Sequence, residues 1–310
     1  MSVVVVAPGQ GSQTPGFLEP WLAEPQFADH LGALADAAGL DLKAHGTVSD
    51  ADTIRDTAIA QPLIVAASLL AFGAVAAERR EKLAGVAGHS VGELAAAAAA
   101  GILSESDAMV LVRERGQAMA KAAAAVATGM SAIIGGDEAE LLALLDTLGL
   151  SPANYNGGGQ LVVAGELPAL AALADAPPAG ARVIPLQVAG AFHTRYMQPA
   201  VEHLASVAAG MTISDPSTTI WTNRDGSAVA SGTAFIDLLV GQVANPVRWD
   251  LCMAAFEEAG VTGLVELAPA GALVGLAKRG LKGLPTVAVK TPDDIPAAIA
   301  LIDSQSIENS

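Results

Sequence analysis

Apolar and polar positions alternate along the first third of the chain in a way that predicts strands and helices in turn. A β-branched apolar run opens the chain, and a long apolar segment that starts near residue 52 has the length of a helix. A short apolar segment then leads into an alanine-rich segment that ends at Gly101, a good helix-closing residue. The predicted elements are strands at 3–7 and 85–87, and helices at 52–78, at 91–100 and from Ser104 or Ser106 onward. This alternation predicts a parallel sheet with helices on its faces.

The pattern changes after residue 128 and predicts a second, smaller unit. The order is strand "MSAII", helix "DEAELLALLDTLG", strand "PANYN", turn "GGGQ", strand "LVVAG", helix "LPALAALADA" and strand "ARVIPLQV". This is the βαββαβ order of ferredoxin-like units. We therefore predict an α/β fold in which a ferredoxin-like domain at 128–189 is inserted into a larger α/β domain with a parallel-sheet core, made of residues 1–127 and 190–310. The last eight residues, "DSQSIENS", are expected to be frayed.

Composition and charge narrow the classes of protein that this chain can belong to. With 310 residues, 52% of them hydrophobic and 15% charged, the chain can bury a substantial core and is globular. The net charge of −16 argues against nucleic acid and anionic membrane surfaces as partners. Polar residues within the uncharged stretch from Thr57 to Ala77 favour a buried helix over a membrane span.

Two further features indicate a cytoplasmic location. The opening segment "MSVVVVAPGQGSQ" has no basic region and too short an apolar run for a signal peptide, so it is interpreted as a strand. The single cysteine, Cys252, lies among apolar residues of a predicted helix, which favours a buried, reduced thiol over a nucleophile. Sparse cysteine usage of this kind suits a reducing compartment.

A serine between two glycines lies where a predicted strand gives way to a helix. The pentapeptide Gly88-His89-Ser90-Val91-Gly92 fits the sharp strand-to-helix turn that exposes a nucleophilic hydroxyl. Small neighbours allow the backbone to turn that tightly. A glycine-flanked serine also occurs as an ordinary helix N-cap, so both interpretations stay open at this point.

A nucleophilic serine needs a base, and His193 has the most suitable context of the five histidines. It follows a predicted strand in "VAGAFHT", where a side chain can project from the end of a sheet into a cleft. The alternative is a histidine that only satisfies a structural hydrogen bond. No acidic residue between Ser90 and His193 has a convincing loop setting for a triad. That absence favours a serine-histidine pair whose imidazole is held by another group, such as a main-chain carbonyl.

Arg115 occupies the apolar face of its predicted helix. Ala108, Leu111, Val112 and Met119 share that face by helical spacing, so the arginine points toward the interior. An inward guanidinium needs an anion. That anion is either a distant carboxylate of the protein, which would make a buried ion pair, or the carboxylate of a ligand.

The first loop and a basic run near the end of the chain are two further candidates. The segment Gly9-Gln10-Gly11 lacks the third glycine of the dinucleotide fingerprint and any phosphate-binding lysine. Its glycine turn could instead bring a backbone N–H or the Gln10 amide to an oxyanion. Lys278 and Arg279 form a basic patch that could dock an anionic partner, although basic residues at a solvated helix end explain the same run.

Taken together, these motifs resemble one family. In chain order they are "PGQGSQ", "QPLI" at Gln61, "GHSVGE", "RG" at Arg115, "GAFH", "NPVRW" at Asn245, and "APAGAL" before "LAKR". The ordered set is similar to the malonyl-CoA:acyl-carrier-protein transacylases of fatty-acid and polyketide synthesis, in their free-standing bacterial form. The similarity covers nearly the whole chain.

The resemblance implies a role for each candidate residue. Ser90 would be the acylated nucleophile and His193 the general base and acid, with the imidazole oriented by a backbone carbonyl around Asn245 to Trp249. Gln10 and the backbone of Val91 would form the oxyanion hole, and Arg115 would bind the free malonyl carboxylate. The other implied substrate-binding residues are Gln61, Met119, Phe192, Asn154 and Asn156. A phenylalanine before the histidine, here Phe192, accompanies malonyl use in the family.

The implied reaction is a ping-pong acyl transfer. A malonyl group moves from CoA to the serine and then to the phosphopantetheine thiol of an acyl carrier protein. The basic run at Lys278 and Arg279 is the candidate docking surface for this carrier. Malonyl-CoA and the carrier protein are thus the expected partners. No metal and no cofactor are expected, because the CoA thioester is a substrate. The rival interpretations are a serine hydrolase of small esters or thioesters and a carrier-binding protein without activity.

Overall fold

A computed structural model of the chain describes residues 2–304. Met1 and residues 305–310 lie outside the described residues, and with them most of the end predicted to be frayed. Asp303 and Ser304, the first two residues of that end, belong to the last helix. Within 2–304 the strands are β1 (Ser2–Ala7), β2 (Leu83–Gly88), β3 (Thr128–Ile134), β4 (Ser151–Gly157), β5 (Gln160–Glu166), β6 (Arg182–Pro185), β7 (Ile220–Trp221), β8 (Val247–Arg248), β9 (Val261–Glu266) and β10 (Thr286–Ala288).

Helices surround these strands. The α-helices within 2–304 are α1 (Glu19–Leu22), α2 (Pro25–Ala38), α3 (Leu42–Thr47), α4 (Thr57–Val75), α5 (Gly92–Ala99), α6 (Glu105–Ala125), α7 (Glu138–Leu148), α8 (Leu167–Asp175), α9 (Gln198–Ala208), α10 (Gly232–Gln242), α11 (Trp249–Glu258), α12 (Ala272–Gly280) and α13 (Ile295–Ser304). Short 3-10 helices lie at Thr53–Arg55, Ala77–Lys82, Arg195–Met197 and Pro292–Asp294. Ser104 is the N-cap of α6 and accepts a hydrogen bond from the backbone of Asp107, as the sequence predicts.

The first sheet is parallel and has the strand order β10-β9-β1-β2-β7. Its central strand β1 pairs with β2 on one side and with β9 on the other, with Val4 opposite Gly85 and Leu264. Val3 to Val6 are all buried, which suits a continuous β-branched run in a sheet that helices cover on both faces. The predicted α/β class with a parallel-sheet core is therefore confirmed.

Helix α4 is the apolar stretch that the sequence predicts to be buried. It is long and apolar enough to cross a membrane, yet 78% of its 18-residue window is buried inside the protein. It packs against α5 and α6, the helices that follow the serine turn. The prediction of a core helix is confirmed, and α4 forms the floor beneath the candidate site.

The second sheet contains the βαββαβ unit and has the order β6-β3-β5-β4-β8. Strands β3 to β6 pair antiparallel, as the ferredoxin-like prediction requires. Strand β8 joins this sheet parallel to β4, although it lies far outside residues 128–189. A strand of two residues has no alternation for a sequence pattern to detect. The proposed domain boundaries stay a prediction.

Candidate active site

Ser90 lies on a tight turn between β2 and α5. Its φ of 53° is in the left-handed region, which residues other than glycine rarely adopt. A Cβ atom at Gly88 would overlap the backbone of Gly92, and one at Gly92 would overlap the Ala7 carbonyl. Ser90 does not cap α5, whose N-cap is Val91 without a side-chain hydrogen bond. The two glycines therefore serve the turn that exposes the hydroxyl, and the N-cap interpretation is wrong.

The Ser90 hydroxyl faces His193. Its Oγ lies 2.7 Å from His193 Nε2, and His193 Nδ1 lies 2.9 Å from the backbone oxygen of Gln242. A carbonyl only accepts hydrogen bonds, so Nδ1 carries the proton of the neutral ring and Nε2 accepts from the serine. Burial, followed by the nearby charge of Arg115, lowers the pKa of His193 to about 3. The imidazole is therefore neutral at pH 7 and able to take the hydroxyl proton.

The carbonyl that orients His193 differs from the predicted one. Gln242 is the last residue of α10 and lies three positions before the segment Asn245 to Trp249. The last carbonyls of a helix have no partner within the helix, and this oxygen accepts from the imidazole and from the backbone N–H of Asn245 at 3.1 Å. The backbone of Asn245 makes only a smaller contribution to the pKa of His193. The predicted position is corrected to Gln242.

Arg115 is fully buried and points at the serine. Its Nη1 donates to Gln61 Oε1 at 2.7 Å, and its Nη2 donates to Gln242 Oε1 at 2.8 Å and to Ser90 Oγ at 3.2 Å. Among residues 2–304 no carboxylate lies within 4.0 Å of this guanidinium, and its Nε has no hydrogen-bond partner. Burial lowers the pKa of Arg115 to about 10, so the group stays charged at pH 7. The structure does not contain the direct buried ion pair that was one interpretation of this arginine.

Glu93, Asn223 and Gln242 complete the polar network, and sequence reasoning missed all three. Glu93 is 1% exposed and accepts from the backbone N–H of Asn223 at 2.6 Å and from Gln242 Nε2. Asn223 Oδ1 in turn accepts from the backbone N–H of Ser90 at 2.8 Å. Burial raises the pKa of Glu93, whereas the hydrogen bond from the Asn223 backbone and the charge of Arg115 act in the opposite direction and favour the ionised form. A lone acidic residue in an otherwise alanine-rich helix was the one local signal for Glu93.

The predicted oxyanion hole lies at the ends of two neighbouring strands. Gln10 follows β1 and Val91 follows β2, and β1 and β2 pair in parallel. Neither backbone N–H makes a hydrogen bond to another of the described residues. The side-chain Nε2 of Gln10 instead contacts Arg55 O and Thr57 Oγ1, both at 3.4 Å. The backbone N–H groups, rather than the Gln10 side chain, are free to bind an oxyanion.

A cleft of about 580 Å³ between the two sheets opens onto the serine. Most of the predicted site residues line it, whereas Arg115 and Val91 lie behind its wall. Asn156 Oδ1 contacts His89 Nε2 at 3.0 Å, and the buried Oδ1 of Asn154 has no partner among residues 2–304. The predicted residues that line the cleft are Gln10, Gln61, Ser90, Met119, Asn154, Asn156, Phe192, His193 and Arg279.

Lys278 and Arg279 lie at the C-terminal end of α12, and both side chains are exposed. Arg279 is at the rim of the cleft, whereas Lys278 is not among the residues that line it. A basic residue at a helix C-terminus is also favoured by the helix dipole. Docking of an anionic partner on this pair stays a prediction.

Comparison with known proteins identifies the family. The sequence profile of the family described as acyl transferase domain matches residues 4–297. The chain belongs to this family. As an acyl transferase, it is 54% identical over 297 residues to the malonyl CoA-acyl carrier protein transacylase of Mycobacterium tuberculosis (strain H37Rv), which covers 94% of this chain and 98% of that protein. The family predicted from the ordered motifs is confirmed.

Solved structures of related acyl transferases share the fold. The crystal structure of MCAT from Mycobacterium tuberculosis aligns with a TM-score of 0.92 at 52% identity, covering 96% of this chain and 100% of that one. A type II PKS acyl-carrier protein in complex with its malonyl-transacylase aligns with a TM-score of 0.91 at 32% identity, covering 97% and 100%. The two-sheet architecture of this chain is therefore that of the solved malonyl transacylases.

Proposed function

We propose that this acyl transferase moves a malonyl group from CoA to the phosphopantetheine thiol of an acyl carrier protein through a malonyl ester of Ser90. One observation carries the proposal: a buried, charged Arg115 without a carboxylate partner lies 3.2 Å from the hydroxyl that His193 activates. Among residues 2–304, that arrangement leaves the guanidinium free for an acyl group with its own carboxylate. The names of the relatives, and the carrier-protein complex among the solved structures, support both the donor and the acceptor.

In the first half-reaction Ser90 Oγ attacks the thioester carbonyl while His193 Nε2 takes the hydroxyl proton. Negative charge develops on the carbonyl oxygen, where the backbone N–H groups of Gln10 and Val91 would stabilise it. The tetrahedral intermediate collapses when the carbon–sulfur bond breaks. His193 returns the proton to the sulfur, CoA leaves as a thiol, and Ser90 is left as a malonyl ester.

In the second half-reaction the carrier thiol attacks the malonyl ester. His193 takes the thiol proton, the new carbon–sulfur bond forms, and the bond from the carbonyl carbon to Ser90 Oγ breaks. The proton then passes from His193 to the serine oxygen, which restores the starting enzyme. Because both halves use the same pair, we expect no metal and no cofactor to be required.

Arg115 would select the acyl group by its charge. A malonyl carboxylate can accept two hydrogen bonds from the guanidinium, whereas a neutral acetyl group leaves the buried charge without an ionic partner. Gln61 and Gln242 hold the guanidinium by their neutral amide oxygens before substrate binds. These contacts orient the Arg115 guanidinium and do not neutralise its positive charge.

The serine hydrolase is the rival function, and the environment of His193 disfavours it. The third member of a hydrolase triad is a carboxylate, whereas His193 Nδ1 meets the Gln242 carbonyl. We propose a cytoplasmic enzyme that serves either fatty-acid or polyketide synthesis. Rates of transfer to each carrier protein of the same organism would decide between those pathways.

Incubation with malonyl-CoA followed by intact mass spectrometry tests the function. A stable malonyl adduct that is absent from Ser90→Ala, and that is discharged by a phosphopantetheinylated carrier protein, supports the transferase. Free malonate without an adduct would mean a hydrolase. No adduct, no malonate and retained carrier binding would mean a binding protein.

A further inference from the structure

Gln242 contacts both the arginine clamp and the catalytic pair. Its side-chain Oε1 accepts from Arg115 Nη2 at 2.8 Å, and its backbone oxygen accepts from His193 Nδ1 at 2.9 Å. Its Nε2 donates to Glu93 Oε2, to the Ser90 backbone oxygen at 3.1 Å and to Asn223 Oδ1 at 3.2 Å. One buried amide thus connects the group that selects the acyl chain with the group that moves the proton.

Glu93 makes the shortest of the three contacts that determine which end of that amide faces Arg115; the other two acceptors are the Ser90 backbone oxygen and Asn223 Oδ1. Both Glu93 oxygens face N–H groups and accept hydrogen bonds from them, whereas a guanidinium only donates hydrogen bonds. With its NH₂ toward Glu93 and its oxygen toward Arg115, the Gln242 amide satisfies both neighbours. A flipped amide would oppose donor to donor at Arg115 and acceptor to acceptor at Glu93, so Glu93 excludes it.

Glu93 itself is held on both oxygens. Oε1 accepts from the backbone N–H of Asn223, and Oε2 accepts from Gln242 Nε2. Asn223 also fixes the serine turn, because its side chain bonds the Ser90 N–H and the Gly88 carbonyl. Glu93 does not line the cleft, so it has no access to substrate. Its carboxyl group contacts Gln242 Nε2, at the opposite end of the amide from the oxygen that accepts from Arg115.

We propose that Glu93 is a positioning residue that orients the Gln242 amide, and through it the Arg115 guanidinium, to receive the free carboxylate of the acyl donor. This role rests on the proposed malonyl transfer, because it matters only for a donor whose acyl group carries a carboxylate. Glu93 acts through Gln242 and takes no part in the bond-making steps.

The test compares malonyl-CoA with acetyl-CoA as donors to Ser90 in the native protein and in Glu93→Gln. Glutamine keeps the size of Glu93 but can present either a donor or an acceptor, so the Gln242 amide loses its shortest contact and is held less firmly in one orientation. We expect kcat/KM for malonyl-CoA to fall by about 10- to 100-fold, the range typical for outer partners of a charged binding group. Acetyl-CoA should lose much less, so the malonyl preference falls.

Glu266→Gln is the matched control. Glu266 is also fully buried, but it accepts from the backbone N–H groups of Gly271, Leu273 and Val274 at the start of α12. Loss of that carboxylate should leave the ratio of malonyl to acetyl kcat/KM at the native value. Equal losses for the two donors in Glu93→Gln would overturn the proposal, since they would mark Glu93 as a support of the fold alone.

Gln242→Met provides the second arm, because it removes the amide and keeps the backbone carbonyl for His193. If Glu93 acts through Gln242, Glu93→Gln should change the donor ratio little in the Gln242→Met background. Independent, multiplying effects on the ratio would overturn the proposal. If Glu93→Gln does not fold, a native donor ratio in Gln242→Met overturns it as well. A native protein that forms no malonyl-serine would instead refute the proposed function.

Discussion

The two walls of the cleft are built differently. On the parallel-sheet wall, Ser90, His193 and Arg115 are joined by hydrogen bonds of 2.7 to 3.2 Å before any substrate is present. The antiparallel-sheet wall combines apolar and amide side chains, and the buried Oδ1 of its Asn154 has no partner among residues 2–304. The parallel-sheet wall thus holds the candidate catalytic groups in place before substrate binds. The antiparallel-sheet wall contributes a surface of defined shape and an amide that a ligand can bind.

Sheet geometry explains the contrast. Parallel strands end at one edge, so Gln10 after β1, Ser90 after β2 and Asn223 after β7 meet there. The antiparallel strands run past the cleft, and every second residue faces it. The pairs that line the cleft are Met130 and Ala132, Asn154 and Asn156, and Gln160 and Val162, each with the spacing of one strand face. The parallel strands contribute their ends, and the antiparallel strands contribute a face.

Breaking the parallel-sheet wall at Arg115 should have the largest effect. Arg115→Ala removes the charge that we propose pairs with the malonyl carboxylate, and the loss of such a partner by a buried charge is worth about 3–5 kcal/mol. We expect kcat/KM for malonyl-CoA to fall by two or more orders of magnitude, while acetyl transfer falls less or rises. The measurement is acylation of Ser90 by each donor.

Arg113→Ala is the control for that experiment, because Arg113 lies on the same helix but is partly exposed, pairs with Glu114 and does not line the cleft. It should acylate with both donors at close to native rates. Equal losses for malonyl-CoA and acetyl-CoA in Arg115→Ala would make the arginine a structural residue, and the contrast between the two walls would lose its functional meaning.

Phe192 tests the shape of the cleft beside the base. Its side chain is 6% exposed and lines the cleft next to His193. We expect the ring to fill the space that a methyl group on C2 of the donor would need. Excluding one methyl is worth about 1–3 kcal/mol, so the native protein should prefer malonyl-CoA to methylmalonyl-CoA by about 10- to 200-fold. Phe192→Ser should narrow that preference, although the overall rate can fall as His193 loses packing.

Competition between the two donors for Ser90 gives the ratio of their kcat/KM values directly. If Phe192→Ser is slower but keeps the native ratio, the Phe192 ring positions His193 and does not select between the two acyl groups. A smaller ratio at any absolute rate would assign the selectivity to Phe192.

The parallel-sheet wall was the more predictable one from sequence, but only in part. Ser90 and Arg115 carry local signals: two glycines around a turn, and helical spacing on an apolar face. Gln242 lies 149 positions from Glu93, and Asn223 lies 133 positions from Ser90. Their roles arise only when the sheet brings distant strand and helix ends together, so no local pattern reveals them.

The antiparallel-sheet wall shows the opposite limit. Its βαββαβ order followed from alternating apolar residues, and the resemblance to the family placed Asn154 and Asn156 at the cleft. Strand β8 was missed because Val247–Arg248 is too short for a period, and it joins β4 by long-range pairing. Sequence pattern thus predicts strands and helices that are long enough to show a repeat of apolar residues. It misses short strands that form only by pairing with a strand distant in sequence.

Substitutions at the rim of the cleft should have smaller effects than those at Arg115 and Phe192. Reversing Lys278 and Arg279 to Glu should raise the KM for an acidic carrier protein and leave malonylation of Ser90 by CoA intact, because rim charges steer encounter more than they hold the complex. Added salt should have the same effect on the native protein. Lys43→Glu, which reverses an exposed charge on α3, is the control and should keep the native KM. An unchanged KM in the double reversal would place the docking face elsewhere.

A change of pH should have the smallest effect on kcat/KM. This experiment tests whether the parallel-sheet wall excludes water from His193. Burial and Arg115 lower the pKa of His193 from 6.5 to about 3, so the imidazole stays neutral and able to accept a proton down to pH 5. The neutral fraction of a histidine with the ordinary pKa would fall about 25-fold between pH 7 and pH 5. We therefore expect kcat/KM for malonylation to show no decline near pH 6.5.

Stability should behave differently from rate over the same range. Because the folded pKa of His193 is lowered, its contribution to folding is complete above pH 6.5 and is lost as pH falls from there toward the folded value. Acylation must therefore be measured in short reactions, with the folded fraction followed by circular dichroism at each pH. A decline centred near pH 6.5 in fully folded protein would mean that water reaches the imidazole. Flat rates with falling stability would show a base that stays neutral because the parallel-sheet wall excludes water from it.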